Sequence, residues 1–303
     1  MDRTTTAPAP PLLPAPGAVL ELFKPITWFP PMWAFMCGVV SSGVPLSSRL
    51  PLLFGGMLLA GPLICATSQA VNDWFDRHVD AINEPNRPIP SGRIPGSWGL
   101  YIAVVWTVVS LVFSTLLGPW VFVAACVGMA LAWAYSAPPF RFKQSGWIGP
   151  GVVALSYEGI TWFTGATVMT GALPNGKILL LAALYSVGAH GIMTLNDFKA
   201  IEGDRQTGIR SLPVILGVDK AARFACAVMA LPQLAVIAAL LAWGKPLYAV
   251  AIILLLAAQV ALMSRLLSDP RKQAPFYNAT GTTLSVIGML VSAFAVSSFG
   301  GLS

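Results

Sequence analysis

The sequence predicts an all-α polytopic membrane protein, a bundle of nine transmembrane helices with Asp-rich loops forming a cytoplasmic cap. Three observations point there. Of 303 residues, 56% are apolar and only 10% charged, against roughly 25% charged in an average soluble domain. Apolar stretches recur at close to the ~20 residues that cross a bilayer. The acids gather where two of these stretches end.

Residues 1–20 are rich in Pro, Ala and Thr, with no basic stretch leading into an apolar core. They read as a flexible cytoplasmic tail and not as a signal peptide, which leaves residues 21–303 as a single transmembrane domain. The predicted spans fall at 25–43, 51–71, 98–117, 119–136, 147–168, 177–196, 221–243, 246–266 and 277–299. Pro30, Pro31 and Pro232 interrupt two of them, which membrane helices tolerate when neighbours satisfy the freed backbone groups. Cys37, Cys65, Cys126 and Cys226 all lie inside apolar spans without Cys-x-x-Cys spacing, so they read as small buried hydrophobes.

Basic residues give the orientation, because Lys and Arg accumulate on the cytoplasmic side of a membrane protein. With nine spans, fifteen fall in the amino-terminal tail and the loops after the even-numbered spans, against three, Arg49, Lys177 and Lys245, on the other side. The amino terminus is thus expected in the cytoplasm and the carboxyl terminus outside, in the periplasm of a bacterial inner membrane. The net charge of +6 faces an anionic leaflet, and no nucleic-acid partner is expected.

The acids carry the chemistry. Asn72 to Asp80 reads NDWFDRHVD, and Asn196 to Asp204 reads NDFKAIEGD. Each begins Asn-Asp-aromatic and ends in an Asp seven residues after the first, a spacing that returns to one helix face after two turns. Asp73, Asp76, Asp80, Asp197 and Asp204 together would repel one another and take up protons unless a cation joined them, and their hard oxygen ligands favour Mg2+. Basic, Pro-containing loops follow both clusters, and a third, YSAPPFRFKQSGW at Tyr135 to Trp147, reaches the same side. Metal-holding acids ringed by Arg and Lys suit a diphosphate, and the surrounding hydrocarbon suits a lipid tail. A prenyl diphosphate meets both demands. Its departing diphosphate leaves an allylic cation that an aromatic wall stabilises and shields from water. Trp74, Phe75, Tyr135, Tyr157, Trp162 and Phe198 are the candidate wall.

These residues resemble the UbiA superfamily of intramembrane prenyltransferases, marked by N-D-x-x-D-x-x-x-D after the second helix and a second Asp-rich segment after the sixth. The first motif is matched in full by Asn72, Asp73, Asp76 and Asp80. The strings NDWFDRHVDAINEPNRPIPSGR, YSAPPFRFKQSGWIG and NDFKAIEGDRQTGIRSLPV look more specifically like the chlorophyll and bacteriochlorophyll synthase branch. The second motif departs from the superfamily pattern of two Asp residues four apart, because Asp197 and Asp204 are seven apart, and the choice of ligand among Asp197, Glu202 and Asp204 stays open.

The resemblance implies esterification of the propionate of a bacteriochlorophyllide by geranylgeranyl or phytyl diphosphate, with chlorophyllide, haem or a quinone precursor as alternative acceptors. It implies Mg2+ and diphosphate on the five aspartates, with diphosphate oxygens also on Arg77, Arg87, Arg141, Lys143, Lys199, Arg205 and Arg210. Asn72 and Asn196 would orient the site. Glu158, an acid within a span, is a functional candidate by default. His190, two helical turns before Asp197, is a candidate axial ligand for the pigment magnesium, and His78 a loop or supporting residue. A cation-coupled transporter is the rival from another class. Eleven of the twelve acids lie outside the spans or at their cytoplasmic ends, which leaves too few for a relay at mid-bilayer.

Overall fold

The computed structural model describes residues 12–297. Its helices are α1 Pro16–Leu22, α2 Phe29–Ser41, α3 Leu50–Leu58, α4 Ala66–Asn83, α5 Trp98–Thr115, α6 Pro119–Ser136, α7 Ile148–Ala154 and α8 Thr161–Thr170. Then come α9 Gly176–Asn196, α10 Ile201–Thr207, α11 Leu212–Leu216, α12 Val218–Ala242, α13 Pro246–Ser268 and α14 Pro270–Val296. Among the described residues the only extended pairing is one isolated bridge, Ser145 to Arg210. Seven helices there are long and apolar enough to cross a membrane, so this is a multi-pass membrane protein.

The predicted spans are recognisable, with instructive differences. The first is the 13-residue α2, shorter than a usual span, because Pro25 and Pro30 confine its start to a separate 3-10 turn. The second is much longer than expected. α3, a π-helical stretch Leu59–Cys65 and α4 form one 34-residue helix from Leu50 to Asn83. Pro62 sits in the π stretch; it cannot donate the α-helical hydrogen bond, and the wider turn absorbs the fault. The Pro62 carbonyl also accepts from Trp106 Nε1 at 3.1 Å. The fifth span is α7 and α8 joined through a second π turn, Leu155–Ile160. The count of nine is thus not reached on length alone.

Two further segments differ from expectation. Part of the expected tail is structured: α1 buries Ala18 and Leu22, four residues apart on one helix face, while residues 1–11 lie outside the described residues. The first Asp-rich segment is not a loop. It forms the last turns of α4, because apolar Val71, Trp74, Phe75, Val79 and Ile82 continue a helical pattern through it and no Gly or Pro breaks it before Pro85.

Close backbone approach seats α2 on α8. A Cβ at Gly38 would meet the Trp162 carbonyl oxygen at 2.0 Å, and one at Gly165 would meet the Phe35 carbonyl oxygen at 2.0 Å. Small residues let membrane helices pack where lipid supplies no hydrophobic drive. Gly165→Val is therefore expected to destabilise the fold by about 2 kcal/mol through overpacking, read as an earlier unfolding midpoint in denaturing detergent. Between α12 and α13, Gln233 and Gln259 exchange amide hydrogen bonds, both at 3.0 Å, so two buried polar side chains satisfy each other in the apolar layer.

Candidate active site

One cavity of about 550 Å³ opens among α4, α6, α7, the second π turn and the end of α9. Its lining joins both halves of the sequence. α4 contributes Gln69, Asn72 and Asp76, α6 contributes Tyr135, and the following loop contributes Lys143. The second cluster contributes Asn196, Asp197 and Asp204. Both acidic clusters thus reach one space at one end of the bundle. On α4 the geometry is simple: positions 69, 72 and 76 fall on one helix face.

The rest of the first motif turns elsewhere. Asp73 is buried and takes Lys24 Nζ at 2.6 Å and Arg87 Nη1 at 3.5 Å, and Asp80 takes Arg87 Nη1 at 2.8 Å. Neither acid lines the cavity. The pair ties α4 to the segment after α1 and to the loop after α4. Lys24 reaches Asp73 from a left-handed backbone with φ 46°, a conformation a side-chain-bearing residue holds only when its surroundings over-determine it. Burial acts to lower the Arg87 pKa, but Asp73 and Asp80 override it and hold the guanidinium above its ordinary range.

At the cavity, Lys143 donates to Asp76 Oδ1. Burial pulls the Lys143 pKa below its ordinary range against the attraction of Asp76. Asp204 accepts from Ser211 Oγ at 2.6 Å, and burial raises its pKa while that hydrogen bond offsets part of the rise. Asn196 Oδ1 accepts from Asn278 Nδ2 at 2.9 Å, and Asn72 Nδ2 donates to Ser136 Oγ at 3.3 Å, so both motif asparagines are held by neighbouring helices. The loop after α6 is tied to the second cluster through backbone bonds, Gly146 N to Arg210 O at 2.8 Å and Arg210 N to Gln144 O at 3.0 Å.

Other candidates are not among the residues lining the cavity, although Lys199 acts on Asp197 and Arg141 on Lys143 from close by. Arg77 stacks over Trp74 at 4.0 Å and donates to its carbonyl. Lys199, Arg205 and Arg210 are exposed, and Arg205 pairs with Glu202 at 3.4 Å. Arg141 is half-buried with its Nε unpartnered. Glu158 is buried, its Oε2 without a hydrogen-bond partner, and it does not line the cavity. His190 Nε2 lies 3.0 Å from the Trp147 carbonyl oxygen, and its ring meets Phe224 edge-on; it is occupied away from the cavity. His78 is exposed. Sequence reasoning missed Lys24, Gln69, Ser211 and Asn278 as site residues. Gln69 could have been found, since it lies one turn before Asn72 on the same face, whereas Lys24 and Asn278 meet the motifs only through tertiary packing.

A divalent cation fits these residues by donor chemistry. Asp76, Asp197 and Asp204 offer hard carboxylate oxygens to one space, and Lys143 already compensates one of them there. Among the described residues no three His, Cys, Asp or Glu side chains close into a preformed cage, as befits an ion such as Mg2+ that keeps several waters and takes substrate phosphate oxygens as ligands.

Known proteins share this architecture. The bacteriochlorophyll synthase 33 kDa chain of Cereibacter sphaeroides is 59% identical over 284 residues, covering 94% of each chain. The chloroplastic chlorophyll synthase of Avena sativa is 39% identical over 293 residues, covering 92% of this chain and 76% of that one. A UbiA homologue from Archaeoglobus fulgidus, solved bound to DMAPP and Mg2+, shares the fold with a TM-score of 0.73 at 18% identity, covering 92% of this chain and 99% of the other. Residues 27–295 match the UbiA prenyltransferase family, and with that match, over a bundle whose two acidic arms meet in one cavity, the chain belongs to this family.

Proposed function

We propose that this prenyltransferase joins a geranylgeranyl or phytyl group, taken from its diphosphate, to the propionate carboxylate of a bacteriochlorophyllide, as a bacteriochlorophyll synthase. The near-full-length identity to the Cereibacter sphaeroides chain carries this reading, because it stands well above the identity to the plant chlorophyll synthase. The site geometry agrees with it. Asp76, Asp197 and Asp204 would hold Mg2+, which would supply positive charge for the diphosphate, and Asn72 and Asn196 orient the mouth. Lys143 turns its ammonium from Asp76 to a phosphate oxygen when substrate arrives. Asp73 and Asp80, gripped by Lys24 and Arg87, fix the end of α4 from behind. The membrane topology that suits these roles has the amino terminus and the cavity mouth in the cytoplasm and the carboxyl terminus in the periplasm.

The chemistry asks little proton transfer of the protein. The bound metal ion supplies positive charge to the diphosphate as it departs. An acceptor carboxylic acid with a pKa near 4.3 is ionised at neutral pH, so no general base is required. Lys143 adds charge at the leaving group, and the apolar lining from α6 and the second π turn keeps water from the allylic carbon. Holding two lipid-like substrates in line is the remaining task, worth several orders of magnitude by itself.

The acceptor assignment is tested with purified protein, Mg2+, geranylgeranyl diphosphate and either pigment acid at equal concentration. Bacteriochlorophyllide is expected to be esterified at least about tenfold more efficiently, a gap of about 1.4 kcal/mol in transition-state binding. Equal or greater efficiency with chlorophyllide would move the chain to the chlorophyll branch.

A further inference from the structure

The acidic rim explains the mouth of the cavity but not the polar group that lines it farther in. There Gln69 Nε2 donates to Tyr157 Oη at 3.2 Å, and Tyr157 Oη lies 3.4 Å from Cys65 Sγ. Thr27 Oγ1 lies 3.5 Å from the same sulfur. All four residues line the cavity. Tyr157 therefore accepts from an amide, and its own proton faces a thiol sulfur, a weak acceptor, and the neighbouring Ser68 hydroxyl. A phenol in an apolar setting ordinarily gives that proton to an oxygen. Besides Tyr157, the polar neighbour of the Gln69 amide is the Cys65 sulfur, a weak partner that a carboxylate oxygen can displace. Ser156 and Tyr157 reach the lining from the π turn Leu155–Ile160; such turns recur at functional sites.

The depth of this pair is set by α4. Gln69 lies seven residues before Asp76 on the same face, about 10 Å farther in at 1.5 Å per residue. A diphosphate gripped at Asp76 and the second cluster projects its first prenyl carbon inward, toward Gln69 and Tyr157. Among the residues lining the cavity, Lys143 at the rim is the sole Lys or Arg. This level of the cavity thus offers an anionic nucleophile neutral donors, which hold a carboxylate without neutralising it.

We infer that Tyr157 and Gln69 bind the acceptor carboxylate; this rests on the transfer proposed above. The Tyr157 O–H and a Gln69 N–H donate to one carboxylate oxygen. The other oxygen directs a lone pair at the first prenyl carbon. The new C–O bond forms as the bond from that carbon to the diphosphate oxygen breaks, and the bonding pair leaves with the diphosphate. No proton moves in the step.

The test uses full-length Tyr157→Phe and Gln69→Glu, with KM measured for each substrate and with the pigment acid and its methyl ester compared as competing ligands. Tyr157→Phe is expected to raise the acceptor KM about tenfold, leave the prenyl diphosphate KM within about twofold, and shrink the preference for acid over ester by about tenfold, the worth of one hydrogen bond to a charged group. Gln69→Glu keeps the shape but sets a carboxylate against a carboxylate, and its acceptor KM is expected to rise further. Retention of the acid-over-ester preference in both variants, or equal movement of both KM values, would overturn the assignment. Failure of the unaltered protein to esterify bacteriochlorophyllide would instead overturn the proposed function, and that is seen before any variant is assayed.

Discussion

Asp76→Asn and Asp204→Asn are each expected to lower turnover by about a thousandfold, while the protein remains folded in the membrane. The magnitude follows from what an amide removes. Asn keeps the size and one acceptor oxygen of Asp but not its charge, so metal and diphosphate lose a ligand where negative charge builds as the leaving group departs. Loss of one such electrostatic contact typically costs a hundredfold to a thousandfold, and here the substrate grip weakens too. Folding is expected to tolerate both changes for local reasons. At position 204, Ser211 Oγ, which donates to Asp204 at 2.6 Å, finds an amide oxygen instead. At position 76 the partner is Lys143, whose ammonium finds the Asn amide oxygen in place of a carboxylate oxygen. Assay of purified, monodisperse variants checks the pair. Asp73→Asn sets the contrast, because Asp73 faces Lys24 and Arg87 instead of the cavity; its effect is expected to fall mainly on stability.

Removal of divalent metal has the second large effect. With a chelator in excess, turnover is expected to fall at least about a hundredfold, and added Mg2+ to restore it, since the metal carries most of the positive charge that the diphosphate needs. The pH dependence has a definite sign. Burial raises the Asp204 pKa, so this carboxyl keeps its proton to a higher pH than an ordinary aspartate. Metal binding requires the ionised form, and a bound cation in turn favours it. The Mg2+ concentration needed for half-maximal turnover is therefore expected to rise on acidification, beginning at a higher pH than for an ordinary aspartate. Full turnover in the chelator would contradict the assignment.

The sequence discloses the bundle and the chemistry of the rim more readily than the detail of either. Span limits are legible because a run such as Pro119–Ser136 is bounded by Gly118 and Ala137-Pro138, and hydropathy alone finds it. The 34-residue helix through Pro62 is not legible, because a π turn depends on neighbours such as Trp106, which donates to the Pro62 carbonyl. The two acidic arms declare themselves by their repeated Asn-Asp. Which acids face the cavity does not follow from the seven-residue spacing. That spacing puts Asp73 and Asp80 on one face, but the chain turns this face toward Lys24 and Arg87 and gives the cavity Asn72 and Asp76. The positions of Lys143 and Tyr157 depend respectively on a loop tied to Arg210 by backbone bonds and on a π turn in a later span. Positive charge at the cytoplasmic side is also ambiguous in sequence, since topology alone would place it there. In the structure Arg77, Arg205 and Arg210 are not among the residues lining the cavity.

The central claim is that both acidic arms share one metal–diphosphate. Its most direct test is an experimental structure with Mn2+ in place of Mg2+ and an unreactive sulfur analogue of geranylgeranyl diphosphate. The account expects the diphosphate at the cavity mouth, with a metal ion bridging it to Asp76 and to at least one of Asp197 and Asp204. A diphosphate held by one cluster alone, or metal bound outside this cavity, would contradict it.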